Sequence, residues 1–517
     1  MMKKILLLSL AASSLLATNG VNMIGTGTVS RSMGGTGVAF FSDGSGAMGK
    51  NVALIAEVKD SELHLDVTYF NASVSNTTTD NMFLNTSTAN PIYPTYSPDG
   101  TSENHLDTNF IPTVSYVSKI DDTWSWGATM MGAAGMGVDY NGEPNNAQRR
   151  MKTGMMLMKI IPGVSYRTGN TTFGFAPVLG LGSMSINYDE AQTDSTGYRD
   201  PSQSDRSGLF GTNIGGDSLV PAFGWQAGMD IKVTEKLRIG TTYNSSLTYK
   251  YKDVANFKQF GPHGMVNMMN DYSGGTLNSG DTVEQAITGL FGAGATTDYL
   301  TNLLQPILDG TVGDSLAATN PNNLDDLTME QPWEVAIGFG YELSDQVTIT
   351  GDYRYIAWGQ AEGYKDFGWE NQSVYAMGFE FRPNKQFRFR GGYNYADSPL
   401  KAVSNEYGAL LTDIQGSYVF DQAISMLNMV GFPAIATTHF TLGAGYDFTE
   451  NLTIDGAFMY SPETEVTRSG ALLPGASGTL TSGAGLPAFT IDAVDMTYSY
   501  TTKMEQMTLS LGLNYTF

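Results

Sequence analysis

The chain ends on Met507-Thr-Leu-Ser-Leu-Gly-Leu-Asn-Tyr-Thr-Phe517, in which apolar side chains alternate with small or polar ones. Successive side chains on a β-strand point to opposite faces, so all the apolar residues of this stretch share one face. A final strand with a continuous apolar face is typical of an outer-membrane β-barrel, where that face contacts lipid. The terminal Phe517 also resembles the signal read by the outer-membrane assembly machinery, which we therefore expect as a partner.

The first twenty residues predict a secretory signal peptide. Lys3 and Lys4 precede an apolar run at 5–16 that is too short to span a membrane. We expect cleavage between Ala17 and Gly20. The sequence contains no cysteine, which excludes a lipidated amino terminus and disulfides. After residue 20 no apolar run approaches the roughly 18 residues of a spanning helix, so export leaves a secreted protein, a periplasmic one or a barrel.

The composition favours the barrel. Charged residues make up only 15% of the chain, against about 25% in a typical soluble domain. The 60 glycines and 27 tyrosines among 517 residues suit a wall with an apolar outer face and aromatic girdles. The net charge of −23 argues against nucleic acid as a partner, because the phosphates would be repelled.

The strand alternation recurs along the chain. It predicts fourteen strands, an even number, at 61–70, 110–119, 122–133, 152–168, 171–188, 222–233, 236–252, 332–343, 345–358, 371–382, 385–397, 437–448, 450–460 and 503–517. Short turns alternate strictly with long loops, as expected for periplasmic turns and extracellular loops. A soluble sandwich would expose the aromatic faces to water, and no blade-length repeat supports a propeller. The sequence therefore predicts an all-β, transmembrane, antiparallel barrel over 61–517.

Residues 21–60 precede the first predicted strand and do not alternate. They are rich in glycine, which predicts a small hatch, or plug, whose backbone packs closely against the inside of the barrel. The stretch Met33-Gly-Gly-Thr-Gly37 is a weak match to a phosphate cradle, since no strand precedes it and no acidic ribose partner follows it.

Four stretches resemble the FadL family of outer-membrane channels for long-chain fatty acids and other hydrophobic compounds. They are Ser32-Met-Gly-Gly-Thr-Gly-Val-Ala39, Leu237-Arg-Ile-Gly-Thr-Thr-Tyr243, Phe387-Arg-Phe-Arg-Gly-Gly-Tyr-Asn-Tyr-Ala-Asp-Ser-Pro399 and Phe440-Thr-Leu-Gly-Ala-Gly-Tyr446. The resemblance implies a fourteen-stranded barrel with an amino-terminal hatch in the outer membrane of a Gram-negative bacterium. It also implies a monomer that performs passive transport without enzymatic chemistry, cofactor or metal.

The hatch departs from the family at one point. Asn51, Val52 and Ala53 stand where the family usually has Asn-Pro-Ala. The loss of proline removes a fixed φ and restores a backbone N–H donor. It is therefore open whether this hatch bends and moves as the family's hatch does.

The longest loop, 253–331, contains two runs with helical periodicity that are apolar on one side. Apolar helix faces outside a cell need cover or form a groove, so they either pack on each other or line an entry groove. The groove interpretation selects Ile287, Leu290, Phe291, Leu300, Leu303, Leu304 and Ile307. The loop holds ten acidic residues against the single Lys258, which leans toward a neutral hydrocarbon as ligand. In an alternative interpretation, the acidic side chains of this loop bind divalent cations that also bind surface lipopolysaccharide.

Charged residues on the second faces of the strands must face the lumen, because exposure to lipid near the midplane costs roughly 2–4 kcal/mol for Arg or Lys. The first interpretation is that these charges form ion pairs that brace the wall and hold the hatch. A lumen of this kind suits a continuous apolar tunnel poorly and favours the family's route, in which the ligand leaves sideways through the wall. Gly132, Gly135 and Gly137 at the end of the third predicted strand are the candidate opening, since glycine often marks a bulge or kink. Pro177 in the fifth strand is a rival irregularity.

Other functions remain as alternatives. A nonspecific porin needs an open lumen and no hatch. A barrel lipase needs a Ser–His pair, yet the chain has four histidines (His64, His105, His263 and His439) in no recognisable setting and no G-x-S-x-G elbow. No catalytic residue is predicted. A structural or adhesive barrel is the third alternative.

Overall fold

Fourteen long strands form the wall of the protein in a computed structural model. The structure describes residues 19–80, 100–106, 108–140, 151–188, 212–255, 278–282, 285, 313–314, 317, 324–401, 410–414, 417–420, 424–425, 427–471, 477–480, 489–492 and 497–517. The strands are β1 Ser61–Asp80, β2 Thr108–Lys119, β3 Trp124–Met136, β4 Lys152–Thr168, β5 Thr171–Tyr188, β6 Thr212–Lys232, β7 Leu237–Asn244, β8 Glu334–Ser344, β9 Val347–Ile356, β10 Gln372–Phe381, β11 Phe387–Ala396, β12 Thr438–Asp447, β13 Leu452–Ala471 and β14 Thr497–Thr516.

Each strand pairs antiparallel with its neighbours in sequence, and the first strand closes the sheet against the last. Leu63 of β1 lies opposite Tyr515 of β14 on one side and opposite Tyr116 of β2 on the other. Pairing of the first strand with the last removes the two free edges that an open sheet would present in the hydrocarbon region of a bilayer. The predicted fourteen-stranded barrel is confirmed.

The last strand shows how the wall faces lipid. Leu509 and Leu511 are 50% and 53% exposed on the outer face, whereas Thr508 and Ser510 between them are buried against the interior. Aromatic residues extend this outer face, including the row Trp225–Tyr243–Trp333–Tyr355 with ring centroids 5.0, 6.2 and 5.7 Å apart. The apolar face of the terminal stretch is thus the lipid face. Within the described residues, no helix has the length and apolar character needed to cross a membrane.

Several strands run further than the alternation predicted. β1, β6, β13 and β14 each extend by six or more residues beyond the predicted limits toward the long loops. In β1 the added part, Asn71 to Asp80, is rich in Asn, Ser and Thr, so it has no apolar lipid face to detect. Four shorter strands pair as Leu410–Ile414 with Ser417–Phe420 and Ser477–Leu480 with Phe489–Asp492. A further strand, Gly100–Glu103, pairs with the extension of β1.

The predicted strand 236–252 is wrong in its second half. The wall strand ends at Asn244, and Leu247–Ala255 instead pairs with Asp325–Gln331 as a separate ribbon. The apolar side chains of the ribbon point inward, and Leu247 and Tyr249 are 2% and 1% exposed. A strand that turns its apolar face to the lumen has the same period as one that faces lipid, so the alternation does not separate the two.

The amino-terminal segment that the structure describes, residues 19–60, lies inside the barrel and contains the predicted hatch, 21–60. We call residues 19–60 the hatch. It contains two short helices, α1 Gly27–Ser32 and α2 Gly44–Lys50, followed by the 3-10 turn Val52–Glu57. The Asp43 carboxylate caps α2 by accepting a 2.7 Å hydrogen bond from the N–H of Gly46. Outside the hatch, Trp358–Gln360 forms a 3-10 turn and Leu427–Gly431 a π turn at the long-loop end.

Candidate functional site

A belt of inward-facing glycines seats the hatch against the wall. At Gly240 an added Cβ would lie 2.1 Å from the carbonyl oxygen of Val38, and at Gly392 it would lie 2.2 Å from the nitrogen of Gly34. Real Cβ atoms do not approach so closely, so only glycine permits this contact. We call this set the glycine belt: Gly174, Gly228, Gly240, Gly338, Gly378, Gly392, Gly443 and Gly512. The belt explains part of the high glycine content and fixes the body of the hatch.

Buried polar contacts hold the same body. Arg31 of α1 forms a 2.9 Å ion pair with Asp66 of β1, and both side chains are almost fully buried. The carboxylate of Asp352 on β9 accepts hydrogen bonds of 2.8 and 3.1 Å from the backbone of Gly37 and Val38. These contacts satisfy groups that would be costly to bury alone.

The Asn51-Val52-Ala53 segment starts the final turn of the hatch. Asn51 caps the turn by accepting from the N–H of Ala53 at 3.1 Å, and its amide donates to the carbonyls of Val38 and Met229. Val52 and Ala53 are buried, and Val52 packs on Gly163 and Gly174. Asparagine therefore ties this point to β6.

Glu57 fastens the end of the hatch at the short-turn end of the barrel. Its carboxylate pairs with Arg167, with Lys232 at 3.2 Å and with Arg238 at 2.8 Å. Burial raises the pKa of Glu57, but the hydrogen bond from Arg238 and the three cations outweigh burial and hold the pKa at about 2. The carboxylate is therefore ionised at neutral pH, and the short-turn end is closed by a three-fold ion pair.

The charged second faces of the strands point into the lumen and are largely paired. Arg390 pairs with Glu380 at 2.7 Å and with Asp455 at 2.6 Å, and Arg388 pairs with Asp447 at 2.5 Å. The predicted bracing of the wall by ion pairs is visible in these contacts.

The wall is broken between β2 and β3. β2 pairs with β1 as far as Thr108, yet β3 pairs with β2 only as far as Met131. Beyond that point β3 bulges at Ala133, which lies between the paired residues Gly132 and Ala134. We call the unpaired stretch, Thr108–Pro112 opposite Gly132–Met136, the wall break.

Along the edge that faces β2, the end of β3 bonds to the hatch, while its other edge stays paired with β4. The N–H of Met23 donates to the carbonyl of Ala133 at 3.2 Å, and the N–H of Gly135 donates to the carbonyl of Val21 at 3.0 Å. The predicted glycines Gly132 and Gly135 lie in this segment, and Gly137 follows its end. Their role as an opening remains a prediction.

Pro177 does not produce a second break of this kind. On the β4 side the ladder is interrupted between the pairs Ile160–Leu179 and Val164–Phe175, but the register is the same on both sides of this gap. On the β6 side Pro177 itself pairs with Trp225. The two strands therefore stay in place around this proline.

The amino-terminal part of the hatch, residues 19–26, separates two cavities; we call it the gate segment. Val21 faces an apolar pocket of about 20 Å³ at the long-loop end, whose other lining residues include Met155, Met184, Met329, Tyr364 and Trp369. Asn22 and Met23 face a charged cavity of about 60 Å³ below it. The charged cavity also touches Met131 and Ala133, so it adjoins the wall break.

Aromatic rings build one wall of the apolar pocket. Trp358, Tyr364 and Trp369 stack edge to face, with ring centroids 4.6, 5.1 and 4.9 Å apart. Trp369 is anchored by a 3.2 Å hydrogen bond from its ring N–H to Asn428. Such pairs add roughly 0.5–1.5 kcal/mol each beyond area burial, so they hold this apolar wall of the pocket in place.

The sequence did not single out these cavity residues. The aromatic cluster lies in the connection after β9, which has neither strand nor helix periodicity, and its only signal is two tryptophans near Gly residues. The predicted groove residues Ile287, Leu290, Phe291, Leu300, Leu303, Leu304 and Ile307 lie outside the described residues.

A lipid-facing closed barrel, a hatch in its lumen and a break in its side wall define an outer-membrane transport protein. Residues 7–407 match the family described as "Outer membrane protein transport protein (OMPP1/FadL/TodX)". The chain belongs to this family, as the sequence resemblance implied. It is therefore a Gram-negative outer-membrane channel of the class that carries hydrophobic compounds, and the family is not one of enzymes.

Individual relatives are distant. The long-chain fatty acid transport protein of Escherichia coli is 23% identical over 328 residues, which span 58% of this chain and 63% of that protein. The structure of a Pseudomonas aeruginosa FadL homologue matches 98% of this chain and 99% of its own, with a TM-score of 0.58 and 13% identity. The structure of the Pseudomonas putida toluene transporter TodX matches 97% of this chain and 100% of its own, with a TM-score of 0.54 and 14% identity. Both structures have the same fold as this chain.

Proposed function

We propose that the protein carries hydrophobic molecules by passive diffusion and releases them sideways into the outer membrane. The ligand enters through the long-loop end, occupies the apolar pocket, passes the gate segment and leaves through the wall break. The predicted groove of loop 253–331, from Ile287 to Ile307, is the proposed landing site. No bond is made or broken and no cofactor is used.

The observation that carries the proposal is the coupling between the wall break and the hatch. The end of β3 has exchanged β2 for the gate segment as its hydrogen-bonding partner. Meanwhile the glycine belt and the ion pairs of Glu57 hold the body of the hatch and the short-turn end. The lowest-cost movement is therefore a shift of the gate segment, and it opens toward the side of the barrel.

The energies are consistent with a shift of the gate segment driven by the ligand. Two backbone hydrogen bonds join the segment to β3, and each contributes about 0.5–1.5 kcal/mol net. Burial of one methylene group gains about 0.8 kcal/mol, so a ligand that buries a few methylenes as it displaces the gate segment offsets the loss of both bonds. Release of the hatch body would instead require the buried Arg31–Asp66 pair and the partly exposed pairs of Glu57 to separate. Loss of one partner of a buried pair alone costs about 3–5 kcal/mol.

Other interactions are proposed on chemical grounds. The exposed Phe517 is the proposed contact for the outer-membrane assembly machinery, and the outer face contacts lipid and lipopolysaccharide. The protein is proposed to act as a monomer, because the barrel closes within one chain.

Uptake by cells that lack their own hydrophobic-compound channel tests the proposal. Cells complemented with this chain are expected to gain uptake of radiolabelled oleate or of toluene, but not of a small sugar, because the hatch fills the lumen. Empty-vector cells are the control. Sugar uptake without oleate or toluene uptake would instead establish an open porin and contradict the proposal.

A further inference from the structure

Methionine side chains gather at the apolar pocket above the gate segment. Met155 of β4 lies directly opposite Met184 of β5, and Met136 of β3 lies opposite Met155 on the other side. Met329 reaches the same pocket from the ribbon that lies inside the lumen. All four side chains are buried, with exposed fractions between 1% and 5%. Four separate segments of the chain thus bring thioether groups to one part of the lumen.

Three of these thioethers line the pocket itself. Met155, Met184 and Met329 border the cavity of about 20 Å³, which has room for one ion or one water-sized group. Side chains directly opposite on antiparallel strands have Cβ atoms about 4.5–5.5 Å apart, so the sulfurs of Met155 and Met184 can meet at one point. The methionine side chain is unbranched and has three rotatable bonds, so Met329 can direct its sulfur to the same point.

The oxygen and nitrogen atoms of the lining side chains are largely engaged. The amide of Asn428 accepts a 3.2 Å hydrogen bond from Trp369 and donates a 2.6 Å hydrogen bond to the carbonyl of Phe367. The hydroxyl of Tyr364 donates to the sulfur of Met155 at 3.3 Å, which leaves that sulfur a second lone pair. Apart from the Tyr364 oxygen, the donor atoms that these lining side chains leave free are sulfurs.

The donor type selects the class of ligand. Thioether sulfur is a soft ligand and favours Cu(I) over the harder divalent ions. No carboxylate lines the pocket, and the cost of burying an ion rises with the square of its charge, so the pocket favours one positive charge over two. The rings of Trp369 and Tyr364 line the same cavity, and an aromatic face stabilises a cation by roughly 0.5–2 kcal/mol. Among the residues that the structure describes, no group of three or more His, Cys, Asp or Glu side chains is placed to hold a metal ion.

We infer that Met155, Met184 and Met329 form a binding site for one soft monovalent metal ion, Cu(I) or its analogue Ag(I), in the apolar pocket. Binding forms sulfur–metal bonds and displaces the water or weak ligands that the ion carries, and no electron or proton is transferred. This site goes beyond the proposed function and does not depend on it.

The composition of the chain agrees with a thioether site. The sequence has 26 methionines, four histidines and no cysteine. Thiols pair as disulfides in the oxidising surroundings outside the cytoplasm, whereas thioethers do not, so methionine keeps a soft donor available there. Methionine also fills gaps in apolar cores without binding any metal. Leucine separates the two roles, because it packs much as methionine does but has no sulfur.

The pH dependence of binding provides an independent readout. Sites built from histidine or carboxylate lose affinity as the pH falls, because their ligands must be deprotonated. Thioethers take up no proton in this range. The titratable side chains around the pocket are Tyr364, Tyr249 and Tyr251, and burial raises the pKa of all three, which keeps them neutral. Affinity is therefore expected to stay constant between about pH 5 and pH 8.

Binding of Ag(I) to the purified full chain in lipid nanodiscs tests the inference. The protein is dialysed against silver nitrate in chloride-free buffer, and bound silver is counted by mass spectrometry. The wild type is expected to bind one ion per chain tightly. Met155→Leu/Met184→Leu/Met329→Leu is expected to weaken this binding at least tenfold, because the site loses its sulfurs while the packing is kept.

A second triple variant provides the matched control. Met130→Leu/Met229→Leu/Met377→Leu removes the same number of sulfurs from the lipid face of the wall and is expected to bind Ag(I) like the wild type. X-ray absorption of the wild type loaded with one equivalent of Cu(I) under reducing conditions needs no variant. It is expected to show a first shell dominated by sulfur.

The outcomes that overturn the site are distinct from a failure of transport. Unchanged Ag(I) affinity in the pocket variant, an equal loss in both triple variants, or a Cu(I) first shell of nitrogen and oxygen each overturns it. Affinity that falls as the pH is lowered from 8 to 5 also overturns it. Uptake of oleate and toluene is measured without metal, so its absence contradicts the proposed function and leaves the metal site standing.

Discussion

Deletion of Ala133 is expected to reduce uptake of the hydrophobic ligand by at least tenfold. Ala133 is the extra residue of the bulge at which β3 leaves the wall, so its removal restores one-to-one pairing with β4. Each later residue keeps its partner on β4, as Ala134 keeps Leu157. A straightened β3 regains β2 as its partner and closes the wall break. Uptake by complemented cells is the measurement.

A matched substitution separates closure of the wall from damage to the fold. Ala133→Gly keeps the residue count and therefore the bulge, and it is expected to transport like the wild type. Resistance of the barrel to unfolding in detergent at room temperature shows that both variants are folded. A folded deletion variant with full uptake would contradict a lateral exit at this position.

Leucine at Gly392 is expected to convert the closed channel into an ion-conducting pore. An added Cβ there lies 2.2 Å from the nitrogen of Gly34 and 2.3 Å from the carbonyl carbon of Met33, both in the hatch backbone. A larger side chain requires either the wall or the hatch to move. The wall is held by continuous ladders on both sides of β11, so the hatch gives way. Single-channel current in planar bilayers is the measurement.

Gly456 provides the control for this experiment. It lies on β13, and an added Cβ at this position meets no atom within 4 Å. Gly456→Leu is therefore expected to show as little current as the wild type, whereas Gly392→Leu shows sustained steps. Silent recordings from a folded Gly392→Leu variant would show that the hatch does not depend on the glycine belt for its seat.

The sequence predicts the wall well because the wall obeys a local rule. A lipid-facing strand has an apolar side chain at every second position, as in Leu509, Leu511 and Leu513, and this period is visible without knowledge of the partner strands. Where the strands rise above the membrane, as from Asn71 onward, the outer face becomes polar and the period disappears. The predicted strand limits are too short at those places. The ribbon from Leu247 shows the opposite error, in which the period is present but the apolar face is turned inward.

The candidate site is harder to predict because its contacts join distant parts of the chain. The cavity brings Asn22 and Met23 of the hatch beside Met131 and Ala133 of the wall, and none of these positions stands out locally. Gly132 and Gly135 were selected for their flexibility, but the sequence does not show that Val21 and Met23 become the new partners of that segment. The abundance of glycine in the hatch signalled close packing correctly. The matching glycines of the wall are scattered over eight strands and reveal themselves only in three dimensions.

Photolabelling along the exit route tests the central claim most directly. A fatty acid with a diazirine at the end of its tail is added to the protein in liposomes, irradiated, and mapped by peptide mass spectrometry. Lateral exit predicts adducts on both edges of the wall break, at Phe110 and Ile111 of β2 and at Gly135 and Met136 of β3. Adducts around Glu57, Arg167 and Arg238 at the short-turn end, with none at the wall break, would contradict the account.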